Sequence, residues 1–404
     1  MDGPRNVTEL GREAAAHWKA RETKQAIASA RAALNARAKP ALDAYLQLAG
    51  YHFHCFQFAE AIAVLSDARP HFPENPTLLK LLGGTMVRAH RYAEAREVLE
   101  SYHALGRFDA DGYDALAAVM AATGDPIRAR LFGTMALTLK DKATKNDRGR
   151  TKLDLTVDPA GKRKIISFTL FGSNPRYLRG ALHNLIAARD CYPDWTCRYY
   201  VDSSVDPTLL QVLSDEGAEV VFDERSGDDS RLLLTRRFLV NDDPDVGHFI
   251  IRDCDSVVSQ READAVAEWL ASGLPFHSMR DWYTHTDVLL AGLWGGIARV
   301  FPDMSDRIEA FLDENPVNTN WDQLFLRQRV WPAIRDQVVV HDRLFGSHGA
   351  RAFPGPAPSG DGHIGQNVHG ADKAGQEAIL HDYRNRIPAL QLGLPLPRIV
   401  IRRR

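Results

Sequence analysis

The sequence predicts two folds in one chain: an all-helical repeat region, then an α/β domain with a mostly parallel sheet. Three observations carry this. Similar octapeptides recur at a spacing of 34 residues in the first third of the chain. Near residue 164 the texture changes from Ala-, Leu- and Arg-rich to β-branched. Beyond that point short apolar runs alternate with helical patterns across brief polar turns, the pattern of a parallel sheet covered by helices. At 404 residues the chain is also too long for one ordinary core.

The repeat is explicit. "FAEAIAVL" begins at Phe58, "YAEAREVL" at Tyr92 and "PIRARLFG" at Pro126, so that Ala61, Ala95 and Ala129 fall in register. Small residues recur where two helices must approach closely, and "HFPENP" supplies a break between units. A poorer copy occupies residues 10 to 40, with "KQAIASARAAL" as its second helix. The pattern resembles the tetratricopeptide repeat, a 34-residue pair of helices, over about residues 8 to 140. That resemblance implies a solenoid whose concave face holds a peptide or partner, or which pairs with a second copy of itself. The repeat domain is therefore placed at 1–145.

Residues 146–163 are polar and turn-rich and read as a linker. "KIISFTLFG" (164 to 172) is a continuous apolar run, the mark of a strand buried on both faces. Asn174 is a candidate N-cap with Pro175 at the first helical position. Strand "TCRYYVD", helix "PTLLQVLSDEG", strand "AEVVFDE", helix "RLLLTRRFLVND" and strand "GHFIIRDCD" follow. A helix over 261–272, a strand "PFHSMRD", the ambiguous "VLLAGLWGGIARV", a helix over about 303–313, a helix near "NWDQLFLRQRVWPAI" and a strand "QVVVHD" complete the domain, 164–404. The Gly/Pro-rich "GARAFPGPAPSGDGHIGQN" reads as a loop long enough to be functional.

The stretch "FIIRDCDSVVS" places Asp253 and Asp255 at the end of the fourth strand of the series. In an open parallel sheet, ligands bind where strands deliver their carboxyl ends. If the extended geometry persists, both carboxylates share a face. So close, they repel unless a cation lies between them. A divalent ion with oxygen ligands relieves that repulsion and keeps positions open for phosphate.

Residues 164 to about 350 resemble a glycosyltransferase of the GT-A type, on the opening βαβα order, on "RDCDS" and on "WDQLFL" some 65 residues later. "RDCDSVVSQREADAVAEWLASGLPFHSMRD" followed by "LLAGLWGG" is similar to a bacterial group of predicted transferases. The resemblance implies a GT-A-like (Rossmann-like) fold, a nucleotide-diphospho-sugar donor, and Mn2+ or Mg2+ on the acid pair. Carried over, Asp255 binds the metal and Asp253 the metal or the donor ribose. Arg252 is a candidate diphosphate clamp. Tyr177 is a candidate stacking partner for the nucleobase, and Arg236 and Arg237 are candidate phosphate neighbours. Asp281, with His285 and Asp287, is a candidate sugar contact. Trp294, among Gly292, Gly295 and Gly296, is a candidate stacking platform. If transfer inverts the anomeric centre, Asp322 is the first candidate base and Asp281 the second. Relatives add a late His to the metal. Here His341, His348, His363 and His369 are available, and His348 is the first choice.

Two other readings compete. "DCDSV" fits the D-x-D-x-[TV] pattern of haloacid dehalogenase-type phosphatases, although that motif ends the first strand of its domain. A scaffold whose transferase domain has decayed is the non-enzyme alternative. Formal net charge is -2, which gives no global field for nucleic acid. Cys55, Cys191, Cys197 and Cys254 form no C-x-x-C pair and read as free thiols of a reducing compartment. No signal-peptide core and no apolar run of ~18 residues is present, so the expectation is a cytoplasmic protein. The basic tail "LPLPRIVIRRR" suggests a solvated end or a peripheral contact with the anionic inner membrane.

Overall fold

The computed structural model describes residues 7–20, 22–36, 39, 41–107, 109–144, 151–223, 230–315, 320–358, 360, 362–366, 380–387 and 390. The chain divides into two compact units, Met1–Leu139 and Lys140–Arg404.

The helices of the repeat region are α1 (Val7–Lys19), α2 (Thr23–Asn35), α3 (Leu42–His54), α4 (Phe58–Ala68), α5 (Pro76–Arg88), α6 (Tyr92–Ala104), α7 (Ala110–Ala122) and α8 (Pro126–Ala143). α4, α6 and α8 begin where the repeated octapeptides begin. Ala61, Ala95 and Ala129 are fully buried, and a Cβ at Gly83 would lie 2.5 Å from Leu99 Cγ. Close helix approach is what fixes the small residues. The turn inside each pair repeats too. Phe56, His90 and Gly124 take φ of 58°, 58° and 80°. The amide after each bonds back across the helix end: Gln57 to His52 O (2.9 Å), Arg91 to Met86 O (2.9 Å) and Asp125 to Met120 O (2.8 Å). This left-handed stop satisfies the last helical carbonyls. Starts are capped where the sequence allows it: Asn75 accepts from Leu78 N–H (3.0 Å) and Asp109 from Gly112 N–H (2.7 Å).

The second unit contains β1 (Arg163–Leu170), α9 (Pro175–Cys191), β2 (Thr196–Val201), α10 (Pro207–Asp215), β3 (Glu219–Phe222), α11 (Ser230–Thr235), β4 (Val246–Ile251), α12 (Gln260–Ser272), β5 (Phe276–Arg280), β6 (Trp294–Ile297), α13 (Met304–Glu314), α14 (Trp321–Phe325), α15 (Trp331–Ile334) and β7 (Val338–Asp342). The strands form one sheet in the order β3-β2-β1-β4-β6-β5-β7. Every pairing is parallel except those of β6, which runs antiparallel to β4 and β5. Alternate residues of β1, Ile166, Phe168 and Leu170, join Leu178, Leu182 and Leu185 of α9 in the core. Each such side chain contributes roughly 1.5–3 kcal/mol.

Two sequence expectations change here. "RLLLTRRFLVND" is not one α-helix. α11 gives way at Arg236 to a 3-10 segment, Arg236–Asp242. The cause lies on the other face of β1, where Ser167 Oγ donates to Arg237 O (2.7 Å) and Arg237 N–H donates to Thr169 Oγ1 (3.0 Å). Of "VLLAGLWGGIARV" only Trp294–Ile297 is strand. Its glycines lie too close to neighbours for any side chain: a Cβ would meet Phe249 O at 2.5 Å from Gly295 and Phe276 Cδ1 at 2.8 Å from Gly296.

Candidate functional site

The strand order reverses at β1. The chain steps outward to β2 and β3, then returns to place β4 on the other side of β1. The carboxyl ends of β1 and β4 therefore flank the crevice where open α/β sheets bind ligands. The acid pair is built there, immediately after β4. The extended geometry expected for it does not persist. Ser256 N–H bonds to Asp253 O (3.2 Å), so Asp253–Ser256 is a turn. Two residues of α9, one helical turn apart, hold it. A Cβ at Gly180 would lie 1.9 Å from Cys254 O. Asn184 Nδ2 donates to Cys254 O (3.1 Å), and its Oδ1 accepts from Val258 N–H (3.0 Å).

Two arginines face the pair. Arg237, itself almost fully buried, donates to Asp253 Oδ1 through one nitrogen and to Asp322 Oδ2 (3.0 Å) through the other. Arg176, in the first turn of α9, donates to Asp255 Oδ2. Its guanidinium lies 5.4 Å over the ring of Tyr177, which is 38% exposed beside the acids. The Asp253 side chain is 46% exposed, whereas those of Asp255 and Asp322 are nearly covered. Burial opposes ionisation of all three. At Asp253 the guanidinium groups of Arg237, Arg252 and Arg176 outweigh burial and hold its carboxyl below the ordinary range. Burial and the Asp253 charge push Asp255 up. Burial, against Arg237, pushes Asp322 up as well, and the Asp253 charge adds to the rise.

The site thus joins Asp253, Asp255, Asp322, Arg237 and Tyr177 from the sequence-based set. It does not bring in the others. Arg252 is fully buried and its fork is already used, donating to Gly292 O (3.1 Å) and Ser256 Oγ (3.0 Å) and pairing with buried Glu262 at 3.0 Å. Trp294 is 1% exposed. Its ring packs edge-on against Phe249 and Phe238, so it is core rather than platform. Asp281 is sealed, accepting from Ile364 N–H (2.8 Å) and pairing with Arg261 and Arg343 (both 3.3 Å). His285 accepts from Asp281 N–H, and Asp287 pairs with Arg327. Arg236 pairs with Asp223 (3.5 Å). His348 packs against Trp331 and Arg280, contacts that the acid pair does not share. His341 bridges His277 and Glu268, and His363 stacks on Trp282; His369 lies outside the described residues. Among the described residues no three His, Cys, Asp or Glu side chains are grouped to hold a metal ion.

Sequence reading missed Arg176, Gly180, Asn184 and Gln323. Gln323 donates to Leu289 O and accepts from Ala291 N–H (3.0 Å), which fixes the backbone leading to Gly292. A Cβ at Gly292 would lie 2.0 Å from Asp253 Oδ2. The available signal was weak: a polar Asn among the apolar residues of α9, and a Gln beside Asp322.

In the repeat region a pocket of about 640 Å³ is lined by residues that include Lys80, Tyr102, Arg107 and Asp109. Lys80 pairs with Asp109 at 2.7 Å, and Tyr102 donates to the same carboxylate (2.8 Å). No helix of the described residues is long and apolar enough to cross a membrane.

A family model for the tetratricopeptide repeat matches residues 56–119. No curated protein sequence matches the chain. Solved structures similar to it include MamA, with 18% identity over 34% of this chain and 77% of that one at a TM-score of 0.32. YrrB, a TPR protein with an unusual peptide-binding site, has 15% identity over 33% and 68% at a TM-score of 0.30. A mutant of the Thermobaculum terrenum O-GlcNAc transferase has 15% identity over 61% and 45% at a TM-score of 0.36. The helical pairs from residue 56 to residue 119 are tetratricopeptide repeats.

Proposed function

We propose that the second unit is a cation-dependent glycosyltransferase of GT-A type. In this reading it moves a sugar from a nucleoside-diphosphate donor to a protein or glycan acceptor that the repeats recruit. One observation carries the reading: Asp253, Asp255 and Asp322 converge with Arg176 and Arg237 where the carboxyl ends of β1 and β4 meet. With Arg252 spent on Glu262, three carboxylates against two guanidinium groups leave the site short of positive charge. A diphosphate enters such a site only with a cation. The residues fit an ion shared between protein and phosphate, since Mg2+-type sites use one or two carboxylates and take their other ligands from phosphate and water. They do not fit an ion held by protein alone.

On this reading Asp253 and Asp255 hold Mn2+ or Mg2+, which when bound offsets the charge of the departing diphosphate. Tyr177 offers its exposed ring to the nucleobase. Arg237 offers its fork to phosphate. The bond from the anomeric carbon to the diphosphate oxygen breaks as the bond to the acceptor oxygen forms. Where the transfer inverts, the acceptor proton passes to Asp322, whose raised proton affinity suits a base. The Lys80–Asp109 pocket is the candidate place for an acceptor segment on the repeats.

The test is thermal unfolding with uridine or guanosine diphosphate, with and without Mn2+, joined to assay of the released product from nucleotide sugars. A metal-dependent rise in melting temperature and release of nucleoside diphosphate are expected. Release of inorganic phosphate would instead indicate a phosphatase. A second reading, a repeat scaffold whose α/β unit is inactive, draws on the fact that guanidinium groups already engage both acids. It requires no response to any nucleotide with either ion, and no turnover.

A further inference from the structure

Each acid of the pair has its own guanidinium. Arg176 pairs with Asp255, and Arg237 forks between Asp253 and Asp322. A cation seated between Asp253 and Asp255 needs the same oxygens. Both arginines are tethered at the backbone and engaged at the tip, where Arg237 also donates to Arg252 O (3.3 Å). Arg237 is held by Ser167 and Thr169, and Arg176 by its place in the capped first turn of α9, where its N–H donates to Asn174 Oδ1 (3.1 Å). The Nε–H of each is buried with no hydrogen-bond partner, and the Arg237 side chain is only 5% exposed.

We infer that the site is an ion exchanger: a divalent cation displaces Arg176 and Arg237 from the acid pair, and the released guanidinium groups become the grip on the diphosphate. The inference rests on the function proposed above and adds to it a coupling and a new ligand-binding residue, Arg176. A cation alone must break two ion pairs; Arg237 keeps Asp322, but nothing receives Arg176. A diphosphate alone meets an excess of carboxylate. Bound together, each removes the other's obstacle, so their affinities rise together, and linkage makes the effect reciprocal. The planar fork of arginine suits this exchange because it matches carboxylate and phosphate equally well.

The experiment is titration calorimetry on the full chain and on Arg176→Gln, with Mn2+ alone and then with uridine and guanosine diphosphate in saturating Mn2+. Opposite signs are expected. Losing its competitor, Mn2+ alone binds several-fold tighter to Arg176→Gln. The diphosphate, losing a charge-assisted partner, binds ~10-fold weaker. In an Asp255→Asn background the Arg176 change leaves Mn2+ affinity where it is. Arg176→Lys keeps the charge without the fork and weakens the diphosphate while Mn2+ affinity stays near native. Equal melting temperatures establish that the fold is intact. Mn2+ binding that is unchanged or weaker in a folded Arg176→Gln overturns the exchange, and a parallel fall of both affinities makes Arg176 merely structural. If the native chain binds neither diphosphate with Mn2+, the functional reading falls first, and that outcome is distinct from the other two.

Discussion

Gly292→Ala separates the position of one carboxylate from the stability of the fold. The added methyl would sit 2.0 Å from Asp253 Oδ2, 2.7 Å from Cγ and 3.3 Å from Oδ1. Ordinary contact begins near 3.4 Å, so the carboxylate must retreat by more than ~1 Å, or the Gly292 backbone must shift by as much. That backbone is held by Arg252 on Gly292 O and by Gln323 on Leu289 and Ala291. Asp253 is half-exposed and carries no such restraint beyond Arg237, so the carboxylate moves. The stability cost is that of a modest overpacking, about 1–3 kcal/mol, a melting shift of a few degrees for a unit of this size. The functional cost is separate, because moving the carboxylate by ~1 Å forfeits a charge-assisted contact, roughly 10-fold or more in affinity. Calorimetric titration of uridine diphosphate with Mn2+, beside a thermal melt, reads both. Native affinity in a folded Gly292→Ala would show that ligand binding does not depend on where Asp253 stands.

Phe56 is 70% exposed and held at φ 58°. Phe56→Gly removes the left-handed penalty of ~1–2 kcal/mol per residue, less the entropy glycine loses on folding, so the repeat region melts slightly higher; an unchanged or lower melting temperature would show that the Phe56–Phe58 ring contact outweighs the strain. Burial pushes Glu262 up to about 7 against the Arg252 charge, so above that pH Glu262→Gln leaves Arg252 fully buried without its counter-charge; urea unfolding there should show a loss of up to ~3–5 kcal/mol, and a smaller one below it. Burial pushes His183 and His248 down to about 3 and about 4, with Arg179 and Lys164 adding to the respective shifts. The unfolded chain protonates near 6.5, so between about 3 and 6.5 it binds more protons than the folded one. Stability from these groups therefore rises with pH through that window and is lost on acidification below about 6.5. His183, whose ring nitrogens have no hydrogen-bond partner, is the cleaner probe: His183→Leu should flatten the slope of unfolding free energy against pH there.

What the chain made legible was periodic or local. The 34-residue spacing located α4, α6 and α8 at their first residues, because helix packing demands a small residue once per unit. The central strands β1 and β4 were legible because strands buried on both faces read as near-continuous apolar runs. The break at Arg236 was not, since it comes from Ser167 and Thr169, some 70 residues earlier, whose hydroxyls bind the Arg237 backbone. Trp294 and Asp281 misled for a related reason. Glycines around an indole suit either ligand approach or packing against Phe249 and Phe276, and a carboxylate after a strand suits either a sugar or the paired guanidinium groups of Arg261 and Arg343. Composition does not separate those alternatives; only the neighbour does.

The acid pair shows why the neighbour matters most at the site. Two aspartates one residue apart are a common pattern, and in an extended backbone they would share a face. The structure aims them by another route, a turn pressed against Gly180 and tied by Asn184. Their proximity then rests on α9, the same helix whose first turn delivers Arg176 to Asp255. A change that lifts α9 from the turn, such as Gly180→Ala, should therefore weaken cation and diphosphate binding together. Gly292→Ala displaces Asp253, and with it the Arg237 contact, but leaves the Arg176–Asp255 pair in place. If the two variants gave the same binding profile, the acids would not be held by separate elements, and the division of the site between α9 and the loop before β6 would be wrong.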